Sequence, residues 1–174
     1  MSIAGIPETI HDFNMYNTGN KLTGQTGEVP LPDFEAMTQT ISGAGILGEY
    51  EAPIPGHFGS QELEIPFRVI NEDYFKLISP TDPVELTLRG AIQYKVAATQ
   101  KTDYMGMRVV VRGVCKKIAI GTVKQRGSMD SSITLELTYI LIEMDGKKRL
   151  ELNKISPTYS VNGVDLLAKV KQLT

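Results

Sequence analysis

Along most of the chain, hydrophobic and polar residues alternate with a period of two, in short stretches bounded by glycine, proline and Asn/Asp. That texture is how antiparallel β-structure appears in a sequence. The clearest strand runs from Ile133 to Met144, where Ile133, Leu135, Leu137, Tyr139 and Leu141 alternate with Thr134, Glu136 and Thr138. From Ile140 onward the second face turns apolar as well, so this end is expected to be covered on both sides. Asp145-Gly146 supplies the pair that a type I′ hairpin turn needs, because both central residues take positive φ. Counting outward from that turn predicts Glu143 opposite Lys148, Leu141 opposite Leu150, and Tyr139 opposite Leu152.

Gln61–Ile70 alternates too, and Pro66 within it points to a sheet edge. Val84–Val96 continues the pattern, with Gly90 expected to mark a bulge, and Met107–Val123 reads as a long strand or strand pair with a break at Gly113. Helix is scarce. Asn71 is placed to cap a short turn containing Tyr74, Phe75 and Ile78, with Glu72 and Asp73 favourable to the helix dipole. A second helix is expected over about 163–173, capped by Asn162 and stapled by Val161 on Leu166, with Leu166, Val170 and Leu173 on one face. The fold class is therefore mainly β, an antiparallel sandwich or barrel with a short internal helix and a C-terminal helix. One domain over 1–174 is the simplest organisation, and the glycine-tipped segment of about 34–59 lacks a core face of its own.

Composition narrows the function. Eighteen Lys+Arg against 20 Asp+Glu leave a formal charge of −2, so no basic field exists to hold a nucleic-acid backbone. Apolar runs such as Val109–Val111 and Tyr139–Ile142 fall far short of the roughly 20 residues of a membrane helix. Met1–Glu8 has neither the basic start nor the apolar core of a secretory signal, so a soluble intracellular product is expected. Cys115 is the single cysteine, which excludes an intramolecular disulfide framework.

Chemistry is sought without success. Gly43-Ala44-Gly45-Ile46-Leu47-Gly48 has the spacing of a dinucleotide-binding loop, but Pro53 and Pro55 follow closely and no helix can form behind it. His11, His57 and Cys115 are too few and too dispersed for a zinc site. Cys115 lies in a strand-like stretch and reads as a packed thiol rather than a nucleophile. Asp33, Glu35, Glu49 and Glu51 have no spacing that enforces a catalytic carboxylate pair. Lys116-Lys117 and Lys147-Lys148-Arg149 read as charges that guard strand ends. No enzyme and no cofactor is expected.

Four stretches then carry a resemblance: Phe13-Asn14-Met15-Tyr16-Asn17; Ile41-Ser42-Gly43-Ala44-Gly45 with Ala52-Pro53; Val110-Val111-Arg112-Gly113 with Gly121 and Lys124-Gln125; and Thr138-Tyr139 through Met144-Asp145-Gly146-Lys147 to Val161-Asn162-Gly163-Val164-Asp165. In their order and spacing the chain resembles the major tail tube proteins of contractile-tailed phages of the P2-like type. The resemblance implies a virion structural protein, assembled in the host bacterial cytoplasm. Six copies would form a ring, and rings would stack into a hollow tube inside a contractile sheath, through which DNA passes without specific binding. It implies as partners further copies of itself and the sheath, tape measure, baseplate and tail terminator proteins, with no membrane binding and no cofactor.

On this reading Phe34–Ile41 with Tyr50–Ile54 form one lumen hairpin, and Ile118–Gln125 with Ser132–Leu137 the other. The tip, Gly43, Ala44, Gly45, Ile46, Leu47 and Gly48, would reach the next ring, and Glu35, Glu49, Glu51 and Glu136 would face an acidic lumen. A DNA-free injection particle of the R-type bacteriocin kind would need the same tube. Two readings of other classes remain: a monomeric β-barrel holding an apolar ligand, disfavoured by 7% aromatic residues and no tryptophan, and a cysteine-dependent enzyme.

Overall fold

A computed structural model describes residues 5–174; residues 1–4, on which part of the Met1–Glu8 expectation rests, lie outside the described residues. The elements are β1 (Gly5–Asn17), β2 (Asn20–Lys21), β3 (Ala36–Ser42), β4 (Glu49–Phe58), β5 (Glu62–Phe67), α1 (Glu72–Phe75), β6 (Val84–Val96), β7 (Thr102–Ala119), β8 (Ser131–Met144), β9 (Lys147–Asn153), β10 (Thr158–Val161), β11 (Val164–Asp165) and α2 (Ala168–Leu173). All strand pairs are antiparallel. The large sheet runs β11-β10-β9-β8-β7-β6-β1-β2, with β5 also on β8, and β3–β4 form a separate two-stranded sheet. The mainly β class with two short helices is as the alternation predicts.

The long strands β7 and β8 organise the molecule. The first half of β8 (Ser131–Glu136) pairs with β5 and the second half (Tyr139–Met144) with β9. Two one-residue bulges, at Thr138 on β8 and Lys116 on β7, interrupt their ladder. Bulges bend and twist strands. One core therefore collects Met15 of β1, Leu63, Ile65 and Phe67 of β5, Leu86 and Leu88 of β6, Val109 and Val111 of β7, and Ile133, Leu135, Leu137 and Ile140 of β8. The Thr138 bulge explains why Leu137 and Ile140, of opposite parity, both reach this core. It also accounts for the break expected near Gly113, where a Cβ would overlap the Glu136 carbonyl.

The Asp145-Gly146 turn has positive φ at both residues, 51° and 71°. Glu143 faces Lys148 as predicted, but a bulge at Arg149 then shifts the ladder, so Leu150 lies opposite Ile142 and Leu152 opposite Ile140. The predicted pairs Leu141–Leu150 and Tyr139–Leu152 are thereby corrected, because the extra residue lets buried Leu152 meet buried Ile140. Gly90 is no bulge: β6 pairs with β7 in unbroken register from Val84 to Lys95, and the irregularities fall on β1 at Glu8 and His11. β5 stops at Phe67, and Val69 is exposed.

In α1 the Asn71 side chain accepts from the Tyr74 N–H at 2.9 Å, as the cap predicts. Tyr74 is buried on Phe67 and donates its hydroxyl to the Ala119 carbonyl at 3.0 Å, tying the end of β7 to the core. Phe75 faces solvent. The C-terminal expectation needs correction. Asn162 and Gly163, with φ of 51° and 82°, form the tight turn between β10 and β11 and cap no helix, because two positive φ values suit a hairpin turn and not a helix start. The helix begins at Ala168, behind Leu167, whose N–H donates to the Asp165 carboxylate at 2.9 Å. Leu166, Val170 and Leu173 of its apolar face are exposed.

Candidate self-assembly surface

β3 and β4 stand apart from the large sheet. Their ladder runs Ser42–Glu49, Ile41–Tyr50, Thr40–Glu51, Gln39–Ala52 and Thr38–Pro53, then breaks over Ile54–His57 before Ala36 meets Phe58. One face carries Thr38, Thr40, Ser42, Glu49 and Glu51; the other carries Gln39, Ile41, Tyr50 and Ala52. A two-stranded hairpin is marginal in water on its own, so its base is anchored. Phe58 lies edge-to-face between Phe34 at 5.6 Å and Tyr159 at 5.3 Å. Leu167, just before α2, packs over Gly56.

Gly43–Gly48 is the tip of this hairpin. Among the described residues nothing stands within 4 Å of where a Cβ would sit on Gly43, Gly45 or Gly48, and Leu47 is fully exposed. Glu49 and Glu51 share the polar face, and neither meets a cation among the described residues. Glu35 lies just before β3, in the wall of a cleft. Glu136 is elsewhere, on β8. The structure thus brings Glu49 and Glu51 together and leaves Glu35 and Glu136 apart from them.

Glu136 belongs to a cluster that local pattern does not reveal. The β5–β8 register sets Glu62 directly opposite Glu136, and like charges so placed repel. The β7 bulge delivers Lys116 between them, with Nζ bonded to a Glu62 oxygen and 3.1 Å from Glu136 Oε2. Ser60 Oγ lies 2.7 and 2.8 Å from the two Glu136 oxygens. Burial opposes ionisation of Glu136, yet the Ser60 hydroxyl and Lys116 outweigh it and hold the carboxyl below its ordinary value. The two carboxylates in turn raise Lys116, Glu62 most of all. Alternation places each of these residues on a strand face, but only the non-local register makes them neighbours.

Several strand edges are open. β1 pairs with β6 on one side, and β2 covers only Tyr16 and Asn17 on the other. β6 ends opposite Gly113, so the last residues of β7, Val114–Ala119, pair with β8 alone. β3 and β4 each keep one free edge. Such edges are templates for pairing with another chain.

A void lined by Met15, Leu31, Leu63, Leu86, Leu88, Val109 and Val111 measures about 10 Å³, at the lower limit for one water and far too small for an apolar ligand. Cys115 is buried, and burial pushes its thiol above the ordinary value, the opposite of what a nucleophile needs. Among the described residues no three His, Cys, Asp or Glu side chains cluster to hold a metal.

The sequence matches the family described as "Phage tail tube protein FII" over residues 7–173. It is 28% identical over 165 residues to the tail tube protein of Escherichia phage P2, covering 93% of this chain and 94% of that protein. The family is structural and not enzymatic. The chain belongs to the phage tail tube protein FII family and is a tail tube subunit, a component of the virion.

Proposed function

We propose that six copies close into a ring, that rings stack into a hollow tube inside a contractile sheath, and that the genome passes through the lumen at ejection. The observation that carries this reading is the β3–β4 hairpin, anchored only at its base and open at both edges. Closure into a ring removes such edges. Gly43–Gly48 reaches the next ring, where bare glycine main chain lets another backbone approach closely. Glu49 and Glu51 face the lumen, where their repulsion keeps DNA from sticking; the charge of Glu136 is matched by Lys116, and Glu35 stands nearer the cleft. The sheath protein covers the outside, the tape measure protein occupies the lumen, and baseplate and terminator proteins close the two ends. Assembly takes place in the host cytoplasm.

Electron microscopy of concentrated purified protein tests this directly. Six-fold rings or tubes with a central channel are expected. A monomer at every concentration, with amides of β3 and β4 exchanging as slowly as those of β7 and β8, sinks the proposal.

A further inference from the structure

The chain crosses between its two sheets at Gly59-Ser60-Gln61, which leads from the end of β4 in the two-stranded sheet to the start of β5 in the large one. Each of these three residues is held by a different polar partner. The Gly59 carbonyl accepts from Lys154 Nζ at 2.9 Å. The Ser60 hydroxyl donates to Glu136, 2.7 and 2.8 Å from its two oxygens. The Gln61 carbonyl accepts from the Leu137 N–H at 2.8 Å. The Gln61 side-chain amide also donates to the Asp33 carbonyl at 2.9 Å, which ties the chain leaving the hairpin to the chain entering it.

These partners converge at one place in the large sheet. β8 pairs with β5 up to Glu136 and with β9 from Tyr139, on either side of the Thr138 bulge. Glu136 and Leu137 stand at that changeover. Lys154 is brought there by its own N–H, which donates to the Thr138 carbonyl at 2.9 Å. A crossing gripped on three successive residues has a fixed direction, and so does the hairpin that leaves from it.

Only the Ser60 grip has a carboxylate acceptor, and hydrogen bonds to an ionised acceptor are the stronger ones. Charged groups face Glu136 from each element around it: Lys116 of β7 at 3.1 Å and Lys154 after β9 favour its ionised form, and Glu62 of β5, directly across, opposes it. The aromatic anchor on Phe58 grips the same base by apolar contact and leaves the hairpin edges free. Setting a segment in its bound direction beforehand lowers the ordering cost that a partner contact must overcome.

Resting on the tube reading, we propose that Gly59–Gln61 is a hinge, that ionised Glu136 latches it through Ser60, and that the latch pre-sets the direction in which the β3–β4 hairpin meets a second copy. The test compares the full chain with S60A, E136Q and the double variant. Glutamine keeps the shape of Glu136 and removes its charge, and Ser60 is exposed, so S60A leaves the core intact. In dilute monomers, hydrogen exchange over Ala36–Ser42 and Glu49–Phe58 is expected to accelerate roughly tenfold in each single variant, with β7 and β8 unchanged. The double variant is expected to exchange no faster than the faster single one, because both substitutions break the same bond. The critical concentration for polymerisation is expected to rise about twofold or more, as the fraction of subunits with the hairpin set falls. Unchanged hairpin exchange in S60A overturns the latch, as do additive effects in the double variant or equal acceleration in β7 and β8. Faster hairpin exchange with an unchanged critical concentration overturns its role in assembly. A parent that never polymerises overturns the tube reading and that role with it, while exchange in the monomer still decides the latch.

Discussion

Replacing Phe58 by alanine separates the stability of the hairpin from that of the sheet. Phe58 makes two edge-to-face contacts, with Phe34 and Tyr159. Each such pair is worth about 0.5–1.5 kcal/mol beyond area burial, so F58A removes about 1–3 kcal/mol from the docking of β3–β4. None of the strands that form the β7–β8 core loses a hydrogen bond, because β3 and β4 belong to a separate sheet. The loss is therefore local. Hydrogen exchange followed by mass spectrometry is expected to accelerate over Ala36–Ser42 and Glu49–Phe58 by roughly 5- to 150-fold, while β7 and β8 keep their protection. Equal acceleration in all strands would show that the hairpin base is part of the global folding unit. No acceleration at all would show that the aromatic anchor contributes nothing, and either result refutes the reasoning.

Gly113→Ala places a Cβ against the Glu136 carbonyl and is expected to cost about 1–3 kcal/mol, whereas Gly106→Ala enters open space and leaves the thermal midpoint nearly unchanged; paired melts check both. Glu136 and Asp73 have folded pKa values held below 4.5 and 3.8, so the stability they contribute is present above those ordinary values. It is lost as pH falls through the depressed folded ones, because the unfolded chain binds protons first. Urea midpoints should drop across that acid window, and E136Q should flatten the slope. Cys115 should react slowly with a thiol reagent in the native protein and rapidly in denaturant, since it is buried and its pKa is raised. Tubes of C115S should be indistinguishable from those of the parent by electron microscopy.

Local chemistry made much of this protein legible before any coordinates. Period-two alternation identified β5, β6, β7 and β8, because neighbouring residues on a strand must face opposite sides whatever lies across from them. Asp145-Gly146 located a hairpin and Asn71 a helix cap, because positive φ and an orphan N–H are demands met within a few residues. Asn162-Gly163 shows where local chemistry is ambiguous: an Asn suits a helix cap and an Asn-Gly pair suits a tight turn, and the positive φ of both residues decides for the turn.

Tertiary structure decided what depends on residues distant in the chain. Bulges at Lys116, Thr138 and Arg149 leave no local mark, since each reconciles two strands competing to bury their own apolar faces. They shift Leu150 and Leu152 from their predicted partners, bend the sheet around one core and deliver Lys116 to Glu62 and Glu136. The cleft beside Gln61 lies between the base of β3–β4, a separate sheet, and the start of β5, which no local pattern brings together. Sequence alone determined the strands from β5 to β9 and that segment 34–59 has no core of its own, but not β1, β10 or β11; the non-local registers decided which charges meet and which edges stay open.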